Sequence, residues 1–139
     1  MSIPAIKGVE VGLGFEYARK KGSASHDAIY YAAQRGFYHK TNNSGGIEGG
    51  ISTGEPISLK LAMKPIATLL KPLDSVNIKT KKKSKAPIVR SDVCAIVACG
   101  VIAENVSAIA ITESFLEKFG CDSLAEIKLN YKNYLKSLI

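Results

Sequence analysis

The chain has 139 residues, 46% of them apolar, and carries a formal charge of +7. That length suits a single domain spanning 1–139, and the apolar content is too high for a chain that stays disordered. Cys94, Cys99 and Cys121 show no CxxC spacing and no clustered histidines, which argues against a disulfide framework or a metal site and for a reduced, cytoplasmic setting.

The N-terminal MSIPAIKGVEVG has no basic segment followed by an apolar stretch, so no signal peptide is expected. Residues 6–13 alternate loosely (Ile6, Val9, Val11, Leu13) and predict a strand that ends at Gly12 and Gly14. FEYARKK at 15–21 predicts a short helix closed by Gly22, followed by a polar stretch and then an aromatic-rich segment with Tyr30, Tyr31, Phe37 and Tyr38. In TNNSGGIEGGISTG at 41–54, five glycines fall within residues 45–54, a composition poor for helix or strand. Such a run is either a flexible linker or a backbone that must approach something closely. Ile47 and Ile51, matched in two GGI units, favour close approach.

Residues 57–64 alternate Ile57, Leu59, Leu61 and Met63 with polar or small residues, which predicts a half-buried strand stopped by Pro65. Val76 and Ile78 mark a further strand over 75–80. Lys79, Lys81, Lys82, Lys83 and Lys85 then form its exposed exit. From 93 to 119 the pattern predicts one long helix, with Ser91 or Asp92 as N-cap and Gly120 as a left-handed stop. Its apolar content raises the question of a membrane span. Glu104 and Asn105 near its centre make that costly, and a helix buried between protein layers is expected instead. Ser123 and Glu126 match a capping box that opens a last helix, with Leu124, Ile127, Leu135 and Leu138 on its inner face. The expected class is α+β, of β-α-β sandwich type, with antiparallel strands packed on a long buried helix and a C-terminal helix.

Three places could carry chemistry. In the stretch Gly45–Gly54 the glycines let backbone N–H groups reach a ligand without Cβ in the way, although a plain glycine-rich turn explains them as well. The stretch is neither a Walker A motif nor a dinucleotide fingerprint. Lys64-Pro65-Ile66-Ala67-Thr68 sets a cation and a hydroxyl four residues apart at a strand end, where an exposed lysine is also unremarkable. Arg90-Ser91-Asp92 stands at the expected start of the long helix, where spare N–H donors and a guanidinium suit an anion; simple capping is the alternative. Arg90 should keep Asp92 ionised, and Asp92 could take a proton from a ligand. His26 and His39 have no clear partner in the sequence.

These places, in this order and spacing, resemble chorismate synthase. The matching stretches are IPAIKGVEVGLGF (3–15), NNSGGIEGGISTGEPI (42–57), LAMKPIAT (61–68) and RSDVC (90–94), with Glu104 ten residues on. The resemblance implies a phosphate lyase that converts 5-enolpyruvylshikimate 3-phosphate to chorismate by 1,4-elimination, in the shikimate pathway of aromatic amino acid biosynthesis. It implies reduced FMN as cofactor, with NADPH a candidate for its reduction, and a cytoplasmic homotetramer. Pro4 and Ala5 would touch the flavin, Gly49 would come against it, Lys64, Pro65, Ile66, Ala67 and Thr68 would line it, and Arg90 would close the site. Asp92 would be the catalytic carboxylate of a proton relay. Val93, Val97 and Val101 stand where many members have proline at or near the helix start.

The family's proteins are more than twice as long and carry their two catalytic histidines in an N-terminal part. The chain therefore reads as the C-terminal part, inactive and poorly stable alone. A nucleic-acid-binding module is the alternative that the charge suggests. The lysine run has no interleaved aromatics, and neither nucleic acid nor membrane is the expected partner.

Overall fold

The computed structural model describes residues 1–90, 94–120 and 122–138. The order of elements is β1 (Ile6–Val11), β2 (Ile29–Ala32), β3 (Gly36–His39), β4 (Ile47–Glu48), β5 (Ile51–Ser52), β6 (Leu59–Met63), β7 (Asp74–Val76), β8 (Lys83–Lys85), α1 (Ile96–Phe119) and α2 (Leu124–Ser137). The class is mixed α and β, as expected. Among the described residues the strands form four separate antiparallel pairs, β1–β6, β2–β3, β4–β5 and β7–β8.

The β1–β6 ribbon is the frame. Val9 pairs with Leu61, Glu10 with Lys60 and Val11 with Leu59, and a bulge between Ile6 and Gly8 shifts the phase. Side chains alternate across a strand, so one face carries Val9, Val11, Leu59 and Leu61, while Glu10 meets Lys60 on the other at 3.9 Å. The expected helix at 15–21 is a 3-10 turn, Gly14–Arg19, tied by the Arg19–Glu16 ion pair at 2.8 Å. The aromatic segment is a hairpin in which Tyr31 meets Phe37 at 5.1 Å between ring centroids. The lysine run is not only an exit: Lys83–Lys85 pairs back on Asp74–Val76, and Lys85 forms an ion pair with Asp74.

Helix α1 starts at Ile96 with Ala95 as N-cap and no side-chain cap. That corrects the expected capping by Ser91 or Asp92, which lie outside the described residues. Gly120 is not left-handed either (φ −60°, ψ 149°). A Cβ there would come 2.2 Å from the Leu116 carbonyl oxygen, so close backbone approach is what calls for glycine. Ser123 does cap α2, accepting from Glu126 N at 3.3 Å. The two helices meet through aromatics: Phe119 lies 5.3 Å from Tyr134, and Phe115 lies 5.3 Å from Tyr131, whereas of the expected inner face Ile127 is half-buried and Leu124, Leu135 and Leu138 are exposed.

The largest correction concerns α1, which was expected to be buried. Among the described apolar residues only Ile6 and Ala103 are buried, and Val97 is 85% exposed. A folded monomer of this mass exposes about 7,000 Å²; the chain exposes 11583 Å². The chain's own strands are too few to cover a 24-residue helix whose apolar residues lie on several sides. By length and composition α1 is also long and apolar enough to cross a membrane. Four of its polar side chains bond back within it, among them Asn105, which donates to Val101 O at 2.8 Å, and Ser107, which donates to Ala103 O at 2.7 Å.

Candidate functional site

Two of the expected stretches meet at one corner. The chain turns at 3–6, where Ile6 N donates to Ile3 O at 3.2 Å, and Ala5 takes a left-handed φ of 67°. A non-glycine residue avoids that region because Cβ crowds the following carbonyl, so the surroundings must hold it there. The hold is visible: Lys64 N donates to Ala5 O at 2.7 Å, one step beyond the Ile6–Met63 pair. Pro4 and Ala5 therefore lie beside Lys64, with Pro65, Ile66, Ala67 and Thr68 leading away. Pro4, Ala5, Lys64, Pro65 and Ala67 are exposed, and Ile66 and Thr68 half-buried.

The glycine loop sits at the other end of the ribbon. Gly12 N donates to Ser58 O at 3.0 Å, Leu13 N to Asn43 O at 2.8 Å, and Ser58 N to Gly45 O at 3.0 Å. A Cβ on Gly12 would stand 2.0 Å from the Asn43 oxygen, and one on Gly46 would stand 2.6 Å from the Pro56 oxygen. Close approach is thus correct for the first glycine pair, but the backbone approached is the chain's own. The second pair, Gly49 and Gly50, forms the two-residue tip of the β4–β5 hairpin with φ of 56° and 77°, as such turns require. A Cβ at either would meet nothing within 4 Å, so the tip faces open space. The described hydrogen bonds tie this hairpin to the Gly12–Ser58 end of the ribbon and not to the Ala5–Lys64 corner. Arg90 is exposed ahead of α1, and Asp92 lies outside the described residues.

Asp27 is the residue that pattern reading missed. Its Oδ1 accepts from Thr41 Oγ1 at 2.5 Å and from Asn43 N at 2.8 Å, and its Oδ2 accepts from Ser44 N at 2.8 Å. Burial pushes this carboxyl up, but the Thr41 hydroxyl and the Ser44 and Asn43 N–H groups favour the anion more and bring it down to about 2. Burial also raises the Tyr17 phenol, and the charges of Asp27 and Glu48 raise it further. The only available signal was the polar stretch before the aromatic hairpin, which does not show a partner 14 to 17 residues away.

Two clefts remain. One, of about 450 Å³, lies between the β2–β3 hairpin and 53–55, where Glu55 accepts from His39 N at 3.3 Å and faces Arg35 at 3.8 Å. The other, of about 600 Å³, separates the apolar face of the ribbon from α1 and is lined by Ile57, Leu59, Leu61, Ala103, Glu104 and Ser107 among others.

The profile of the chorismate synthase family matches residues 1–116. The chain belongs to the chorismate synthase family. It is similar to the chorismate synthase of Geobacter metallireducens, with 59% identity over 145 aligned positions that cover 99% of this chain and 37% of the relative. It is 60% identical to the chorismate synthase of Thermoanaerobacter pseudethanolicus, covering 97% of this chain and 39% of that protein. A solved crystal structure of chorismate synthase superposes with a TM-score of 0.78 at 39% identity, covering 99% of this chain and 34% of that one. The chain thus spans less than two fifths of the length of these relatives.

Proposed function

We propose that this chain is the flavin-binding part of a chorismate synthase, which removes phosphate from 5-enolpyruvylshikimate 3-phosphate by 1,4-elimination. The observation that carries the reading is the Ala5–Lys64 corner. One 2.7 Å hydrogen bond sets two sequence-distant motifs side by side and presents a cation beside a strained, exposed backbone turn. The donors at this corner fit FMN: a lysine for its phosphate and a threonine hydroxyl four residues on. Reduced flavin, when bound, supplies electron density that helps the phosphate of the substrate to leave.

In this reading Lys64 holds negative charge as a point cation and Thr68 orients it. Pro4, Ala5, Pro65, Ile66 and Ala67 offer surface to a flat ring, and Gly49 lets backbone approach it. Arg90 adds a fork for an anionic oxygen, and Asp92 is the carboxylate that moves a proton. The family's catalytic histidines belong to the part of its proteins that this chain does not span, so the chain alone binds without turnover. The uncovered face of α1 is covered in the cytoplasmic tetramer by the rest of the family fold. Nucleic acid has no role in this reading.

The test is a titration of the chain with FMN, oxidised and then reduced, with and without the substrate phosphate ester, followed by flavin absorbance. Saturable binding that weakens in Arg90→Ala supports the reading. No binding to a folded chain overturns the claim that this part holds the flavin by itself.

A further inference from the structure

Asp27 belongs to none of the motifs that carry the family resemblance, yet three donors from the glycine loop converge on its carboxylate. We propose that Asp27 is a positioning residue for the flavin: it clamps the entry to the loop so that the Gly49–Gly50 tip is presented in one place. The inference rests on the flavin contact proposed for Gly49.

The clamp works through Asn42, which lies between the residues that Asp27 holds. Asn42 Oδ1 accepts from Gly46 N at 2.8 Å, and its Nδ2 donates to Pro56 O at 2.7 Å, so one amide spans the entry and exit of the hairpin. Above it, Thr53 N donates to Gly46 O at 3.0 Å, and the ladder runs through Ile47–Ser52 and Glu48–Ile51 to the tip. A Cβ on either tip residue would find nothing within 4 Å, so the base decides where the tip points. From Gly46 to Gly49 is about 10 Å at roughly 3.3 Å per residue. A tilt of ~10° at the base moves the tip by about 2 Å, and misplacement by ~1 Å can already cost about 100-fold in a reaction.

The clamp needs a carboxylate. All three partners donate, and an amide in its place would turn an NH2 group toward one of them. Asp27→Asn keeps the size and removes one acceptor. Thr41→Val removes one donor and leaves the carboxylate.

The experiment uses the 139-residue chain, its backbone amide spectrum and FMN as the probe. In Asp27→Asn, hydrogen exchange at Asn43, Ser44, Ile51 and Thr53 is expected to speed up by about tenfold or more while Val9 and Leu61 keep their rates. FMN affinity is expected to fall by a similar factor, with a changed visible band at saturation, and Thr41→Val is expected to fall between variant and parent. Faster exchange at Asn43 and Ser44 alone, with Ile51 and Thr53 unmoved, overturns the proposal, because Asp27 would then close only its own turn. So does parental FMN affinity in Asp27→Asn. A parent chain that binds no FMN sinks the flavin reading instead, and the exchange comparison, which needs no ligand, still decides the clamp. Thr41→Val carries that comparison if Asp27→Asn does not fold.

Discussion

Replacing Lys64 by alanine tests the Ala5–Lys64 corner directly. The hydrogen bond that joins the two motifs uses the backbone N–H of Lys64, so alanine keeps it and deletes only the ammonium. The side chain is exposed, which sets the size of the effect. Two unit charges ~4 Å apart interact by about 1 kcal/mol in bulk water and about 4 kcal/mol at a typical protein surface. Solvent screening places an exposed lysine near the lower value, about 1–2 kcal/mol. FMN affinity should then fall roughly 5- to 30-fold, at about 1.4 kcal/mol per tenfold. Flavin absorbance titrations at low and high salt measure it, with riboflavin as the control that lacks the phosphate. The difference between parent and variant should shrink as salt rises and be absent for riboflavin. Equal losses for FMN and riboflavin, or no loss for FMN, would refute the assignment of Lys64 to the phosphate.

Three further outcomes are expected. The Asp27 carboxyl is held down to about 2 against an ordinary value near 3.9, so its stabilisation is complete above about pH 4 and is lost as pH falls toward 2. Tyr17, raised from 10, stays neutral throughout that range. Amide shifts of Asn43 and Ser44 followed from pH 6 to pH 2 should move only at the acid end, and a midpoint near 4 would contradict the clamp. Gly12→Ala should destabilise by about 3 kcal/mol or more, because Cβ would meet Asn43 O at 2.0 Å at a left-handed φ. Gly100→Ala, on an open helix face, should stabilise by up to ~1 kcal/mol, and denaturant unfolding that ranks the two the other way removes the packing argument. The exposed face of α1 should make the isolated chain bind apolar dyes and associate with rising concentration. Sedimentation of a compact monomer with one cooperative unfolding transition would show that face to be tolerated.

The element types of β1, β6, α1 and α2 were legible in the sequence, because period, proline stops and the Ser123–Glu126 cap are local signals. So were the stretches that match the family. The β2–β3 and β4–β5 hairpins were not seen: the first lacks clean alternation, and the second has two residues per strand around a glycine tip. The composition of α1 implied burial, but composition records which residues avoid water and not whether this chain has enough surface to cover them.

What the sequence by itself determined is where the chain turns, which stretches are apolar and which motifs it shares with chorismate synthases. Only the tertiary structure decided which motifs meet. It brought Ala5 against Lys64, 59 positions apart, and left Gly49 at the far end of the ribbon. It also gave Asp27 its three donors. Hydrogen bonds act over about 3 Å, and sequence spacing does not specify which distant groups a bulge and a strand register bring within that reach.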